Sequence, residues 1–194
     1  MDFAQLFLQR YNVLYEYFLD GIWKTVPEDL MRQRPHPQVN SIAWNLWHIT
    51  RVEDGSLNRF VADRSQVLDK GGWMQRMNVP WRHHGSGMNF AEVDELNQCI
   101  DLQALYDYSS AVHARTHEII NQIALVDLDA ILQPERVRVI VIDEGLAHSQ
   151  AADLVGWYTG WSKVKFLMNH GLTHPYQHVG EIGVIASLLG VVFD

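Results

Sequence analysis

The sequence holds one cysteine, Cys99, in 194 residues. No disulfide can close within such a chain, which suits a reducing compartment. Positive charge is also scarce: 15 Lys and Arg stand against 23 Asp and Glu, a formal net charge of −8. The densest basic spots are the pairs Arg32/Arg34 and Arg136/Arg138. Nucleic-acid binding needs a basic footprint, so the composition argues against that class. A long apolar run is missing too. No uncharged stretch approaches the ~20 residues of a membrane helix. The first segment, MDFAQLFLQRYNVLYEYFLD, breaks its apolar pattern with Asp2, Arg10 and Glu16, unlike a signal peptide. The expectation is a soluble cytoplasmic protein with neither membrane nor nucleic-acid partners. Internal repeats and low-complexity tracts are absent as well.

What the sequence does have is apolar content of 47% and seven tryptophans, enough for one folded domain over 1–194. Phe3, Leu6, Phe7, Tyr11, Leu14 and Phe18 recur at the spacing of one helix face, giving a helix over about 2–20. Pro27 and the Arg34-Pro35-His36-Pro37 stretch end it. Asn40 or Ser41 caps a second helix to about residue 62 that carries Trp44, Trp47, His48, Val52 and Phe60. A long glycine-containing connection follows over 63–97, with a short helix near 91–97. A third helix runs over about 101–124 on the stripe Leu102, Leu105, Val112, Ile119 and Ile123. Val137–Ile142 (VRVIVI) has strand chemistry but no partner strand, so an extended connector is expected. A short helix is expected over 146–158. The last helix spans about 162–189 and stops at Gly190, with Pro175 inside it to kink it or shift its start. Four long helical patterns with long crossings imply an all-α four-helix bundle.

His174 and His178 lie four apart on that last helix, about 40° from one another around its axis. Leu167, Ile182, Ile185 and Leu189 share their face, so both imidazoles point inward. Unpaired polar groups there cost roughly 1–3 kcal/mol each. A metal ion would satisfy both, as in zinc sites built on paired helical histidines. Spacing alone leaves the pair open between a metal site and two core histidines. A site needs a third ligand, and His48, mid-helix beside Trp44 and Val52, is the best candidate. Three neutral imidazoles suit zinc, nickel or iron and leave positions open. Glu181, one turn past His178, can orient an imidazole. Arg51, one turn past His48, either faces the cavity to hold a carboxylate or forms a surface ion pair with Glu53 or Asp54; the ion pair is the preferred reading. His113 and His117 form a second pair four apart but lie on the flank of their helix's apolar stripe. His83 and His84 read as solvated. His36, His148 and His170 read as surface or satisfied core. Trp44, Trp47, Trp161 and Tyr176 line a pocket or simply fill the core. Cys99 reads as a small apolar residue.

The stretches LWHITRVEDGSLNRF and HPYQHVGEIGVIASLLG resemble the DinB-like family of metal-binding four-helix bundles. The family pattern is one histidine on the second helix and H-x-x-x-H-x-G-[EQ] on the last. Here it falls on His48, then His174, His178, Gly180 and Glu181. WHITRVED, GGWMQRMNV and GSGMNFAEV are similar to an actinobacterial-type subgroup. The resemblance implies the bundle, a divalent metal and a homodimer. It also implies a low-molecular-weight thiol such as bacillithiol or mycothiol as cosubstrate, since relatives include thiol-dependent S-transferases and isomerases. The expected function is therefore metal-assisted thiol transfer to a small electrophile, with no catalytic side chain assigned. Metal-dependent hydrolysis, with Glu181 or Asp54 shuttling a proton, is the alternative. A non-catalytic metal-binding or stress-related protein, its ion closed by Glu144 or His148, is the third reading.

Overall fold

The computed structural model describes residues 2–123 and 127–193. Among them are four long helical segments and no β-strand; Ile131 and Ser162 form an isolated antiparallel bridge. Helix α1 (residues 3–25) starts at a capping box between Asp2 and Gln5 and joins Phe3–Asn12, a π-helical stretch Val13–Leu19, and Asp20–Thr25. It outruns the expected end near residue 20 and stops at Thr25, where Val26 turns extended ahead of Pro27. Helix α2 (42–61) is capped by the Ser41 hydroxyl, which accepts from the Trp44 N–H at 2.9 Å, and comprises Ile42–Ser56 and π-helical Leu57–Val61. Helix α3 is Leu102–Gln122, capped by Asp101; the expected end at Ala124 lies outside the described residues. Helix α4 (163–188) joins Lys163–Met168, π-helical Asn169–Thr173 and His174–Leu188, and ends before Gly190 at φ +80°.

Pro175 does not break α4; it lies in the first turn of the α-helical stretch His174–Leu188, which follows the π-helical turn Asn169–Thr173. A proline ring collides with the carbonyl four residues earlier and gives no N–H. The π-helical turn immediately before it widens the helix at that carbonyl. The earlier carbonyl belongs to Gly171, where α4 crosses α1 so closely that a Cβ would sit 2.9 Å from Phe7 Cζ.

The connection 63–97 carries short turns Val67–Asp69 and Trp73–Arg76 and the expected helix, here Phe90–Cys99. The VRVIVI segment corrects the expectation of an extended connector. It is helical, as Pro134–Arg138 followed by a π-helical turn Val139–Asp143, with Val137, Ile140 and Val141 fully buried. Its β-branched residues pack as the apolar side of a short helix, with Pro134 in the first turn. Residues 125 and 126 of that connection lie outside the described residues. The expected helix over 146–158 is two turns, Ser149–Ala151 and Leu154–Tyr158.

Every residue of Ile42–Ser56 is buried. This helix is packed by α3, α4, Glu28–Met31 and Phe90–Cys99. Its polar side chains must therefore find partners inside the protein on all faces. On one face Glu53 accepts from the Tyr11 and Tyr15 hydroxyls and from Thr116 Oγ1 at 2.6 Å. Burial pushes the Glu53 carboxyl up from 4.5 to about 7, against the pull of those three donors and with added repulsion from Asp54. A raised carboxyl means that the folded state keeps a proton which the unfolded chain releases between these two pH values. Stability should therefore fall as pH rises from about 4.5 to about 7 and level off above. The fall is at most about 3 kcal/mol. A Glu53→Gln variant should flatten that slope in urea titrations run at several pH values; an unchanged slope would disprove the assignment.

Candidate metal centre

His48 on α2 and His174 and His178 on α4 bring their Nε2 atoms to one point. His174 Nε2 lies 3.1 Å from His48 Nε2 and 3.1 Å from His178 Nε2. Two imidazole nitrogens on a tetrahedral ion at about 2.0–2.1 Å would stand about 3.3 Å apart. Among the described residues this is the one group of three His, Cys, Asp or Glu whose ligand atoms all fall within 4.8 Å of one another.

The partners of the other ring nitrogens set the tautomers. His48 Nδ1 faces the His84 carbonyl oxygen. His178 Nδ1 faces Asn45 Oδ1 at 2.7 Å and Glu181 Oε2 at 2.8 Å. All three partners are acceptors, so each Nδ1 carries the proton and each Nε2 presents a lone pair. Two lone pairs are thus directed at the His174 Nε2. A single N–H there could serve only one of them well, whereas a cation would satisfy all three nitrogens. Desolvation pushes His48 down to about 3, aided by repulsion from His178, and pushes His174 lower still. Both rings are therefore neutral at physiological pH, the state a metal ligand requires. The hydrogen bond from His178 holds the Glu181 carboxyl below its usual range. These residues fit a divalent cation with nitrogen ligands.

Trp44 stacks on His48, with centroids 4.6 Å apart and planes at 12°. The 83–87 loop closes over both tryptophans of α2. A Cβ on Gly85, at φ +95°, would meet Trp47 Cζ3 at 2.6 Å and Trp44 Cζ2 at 3.3 Å. Only glycine lets the chain turn here and still bring the His84 carbonyl to His48. Residues 144–146, just after the Val139–Asp143 turn, brace this loop: the His84 N–H donates to the Leu146 carbonyl at 2.9 Å, and Arg82 Nε donates to the Glu144 carbonyl at 2.9 Å.

Arg51 is not brought to the three imidazoles. It pairs with Asp54, as preferred, but in the interior, at 0% exposure for both side chains. Its donors reach Asp54 Oδ2 at 3.1 Å, the Tyr108 hydroxyl at 2.7 Å, Gln66 Oε1 at 2.8 Å and the Arg82 carbonyl at 2.6 Å. Glu144 is held by Arg59 at 2.7 Å and His148 lies 3.4 Å from Glu92, both away from the centre. His113 stacks on Tyr11, and His117 Nε2 pairs with Asn12 Oδ1 at 2.8 Å. Burial pushes the Cys99 thiol up, in keeping with an inert side chain. Asn45 was not singled out from sequence, and His84 was read as solvated. Asn45, one turn before His48 on the same helix, had a usable signal in that spacing; His84 had none, because a loop carbonyl leaves no trace in residue type. His84 and His170 are both buried, at 1% and 2% exposure, instead of solvated or satisfied.

A family model described as the DinB superfamily matches residues 18–182. No curated protein matches. A crystal structure of a conserved protein from Enterococcus faecalis is similar at a TM-score of 0.72 and 17% identity, over 98% of this chain and 99% of that one. At that identity the likeness concerns the fold.

Proposed function

The chain belongs to the DinB superfamily, and from that premise we propose that it binds one divalent cation, zinc, nickel or iron, through His48, His174 and His178. The superfamily is generally metal-binding, and the three-histidine cluster is present. The observation that carries the reading is the convergence of three Nε2 atoms, two of them with lone pairs fixed by acceptors on the far side of the ring.

The proposed activity is transfer of a low-molecular-weight thiol, of the bacillithiol or mycothiol kind, to a small electrophile. A three-histidine divalent cation with open positions is a Lewis acid that lowers the pKa of a thiol or water brought to it. The protein's part is orientation. Asn45 and Glu181 hold His178, the His84 carbonyl holds His48, and Trp44 lies flat against the His48 ring and keeps water from that side. Glu144 and His148, the side chains that would close the ion, have partners elsewhere, which favours an open centre over a purely structural one. Hydrolysis is the second reading, favoured by Glu181, whose side chain is 56% exposed and 2.8 Å from His178. A homodimer remains part of the proposal and is read by light scattering.

The test is turnover of metal-loaded protein with a panel of electrophiles, with and without bacterial thiols. Thiol-dependent turnover that is lost in His178→Ala supports transfer. Turnover without thiol moves the assignment to hydrolysis. Bound metal with neither activity sinks both catalytic readings.

A further inference from the structure

His174 differs from its two companions. The Nδ1–H of a metal-bound histidine ordinarily donates to a carboxylate, a carbonyl or water. His48 and His178 have such acceptors, but His174 Nδ1 is buried with no hydrogen-bond partner among the described residues. Two other buried imidazole nitrogens nearby are also unpartnered, His84 Nε2 and His170 Nδ1. The His170 and His174 rings are 6.0 Å apart, and the His48 and His84 rings 5.8 Å. His84 and His170 each contribute to the electrostatic field at His174.

Their hydrogen-bonding roles are complementary. The Ser86 N–H donates to His84 Nδ1 at 3.3 Å, so the His84 proton sits on Nε2, which is a donor. With a cation held on its Nε2 beside those of His48 and His178, His174 would carry its proton on Nδ1, a second donor. His170 Nδ1 has no protein partner among the described residues, and with the ring's proton on Nε2 it accepts. Two N–H donors and one acceptor match one water molecule, whose oxygen accepts twice and whose O–H donates once. Three bonds are the usual complement of a buried water. The 6.0 Å ring separation of His170 and His174 is too long for a direct bond and suits one bridging molecule.

We propose that His84 and His170 hold a buried water that accepts the His174 Nδ1–H, making them positioning residues for the third imidazole of the centre. His84 would then steady two of the three histidines, His48 through its backbone carbonyl and His174 through its ring. The inference rests on the metal reading above.

The test is zinc affinity, measured by competition with a chromophoric chelator, in wild type, His84→Leu, His170→Leu and His170→Gln. The two leucine variants should bind about 10–100-fold more weakly. His170→Gln, whose amide still offers an acceptor, should recover most of the loss. Cobalt-loaded protein should show shifted visible bands in the leucine variants, a readout that a loss of packing alone would not move. Affinities within twofold of wild type in both leucine variants would overturn the inference. Should those variants fail to fold, a crystal structure of zinc-loaded wild type decides. A water bonded to His174 Nδ1 and His170 Nδ1 supports it, and a protein acceptor on His174 Nδ1 overturns it. Wild type that takes up no zinc defeats the metal reading itself, a result distinct from all of these.

Discussion

His178→Ala should abolish metal uptake and, with it, all metal-dependent stabilisation. Free zinc at 1,000 times its Kd stabilises a binding protein by about 4 kcal/mol, so wild type should melt at a clearly higher temperature with zinc than without. The variant should melt at the same temperature in both. His178 is the cleanest ligand to remove because its side chain lies at the edge of the bundle at 13% exposure beside the 56% exposed Glu181, although the buried Asn45 loses a partner. His48 is 4% exposed and stacked under Trp44, so His48→Ala would add a cavity to the loss of a ligand. Metal-free His178→Ala should therefore lose less stability than metal-free His48→Ala, at most the cost of the Asn45 hydrogen bond, which separates a ligand's role from a packing role. Elemental analysis and calorimetry with and without zinc make the measurement. A zinc-induced shift that survives in the variant would rule out His178 as a ligand.

Asp54→Ala should destabilise the protein by about 3–5 kcal/mol, because it leaves the Arg51 guanidinium buried without its counter-charge. Asp54 also accepts from the Val67 N–H at 2.7 Å, the Leu68 N–H at 2.9 Å, Asn58 Nδ2 at 2.8 Å and the Tyr108 hydroxyl at 2.5 Å. Its loss strands all of these donors inside the core. Asp54→Asn keeps one acceptor and should cost less. The pair is fully buried, so added salt should leave the difference nearly unchanged. Urea unfolding of the three proteins at low and high salt checks the prediction, and a cost under about 1 kcal/mol, the range of surface pairs, would contradict it. Arg51 also holds the Arg82 carbonyl, two residues before His84. Disorder at Asp54 should therefore reach the metal centre and weaken zinc binding through the loop that orients His48.

Much of the site was legible because helix periodicity is a local property. Histidines four apart on a helix share a face in any fold, and the apolar company of His174 and His178 turned that face inward. The capping signals at Ser41 and the stop at Gly190 are equally local, and the structure has both. The VRVIVI segment misled because β-branched composition reports a fit to a pleated surface only when a partner strand exists; without one, burial of Val137, Ile140 and Val141 decided for a helix. Arg51 misled in a similar way. Its pairing with Asp54 follows from the three-residue spacing, but its burial depends on what else packs on α2.

The sequence by itself therefore determined the four long helices, the four-helix bundle class and which histidines share a face. Each of these follows from 100° of rotation per residue and from the partition of apolar side chains away from water. Tertiary structure alone decided the tautomers and the connections to the centre. The His84 carbonyl on His48, the Asn45 amide on His178 and the brace from Leu146 all join residues far apart in the chain. A buried hydrogen bond is fixed by distance and direction in space, and no spacing along a sequence encodes those.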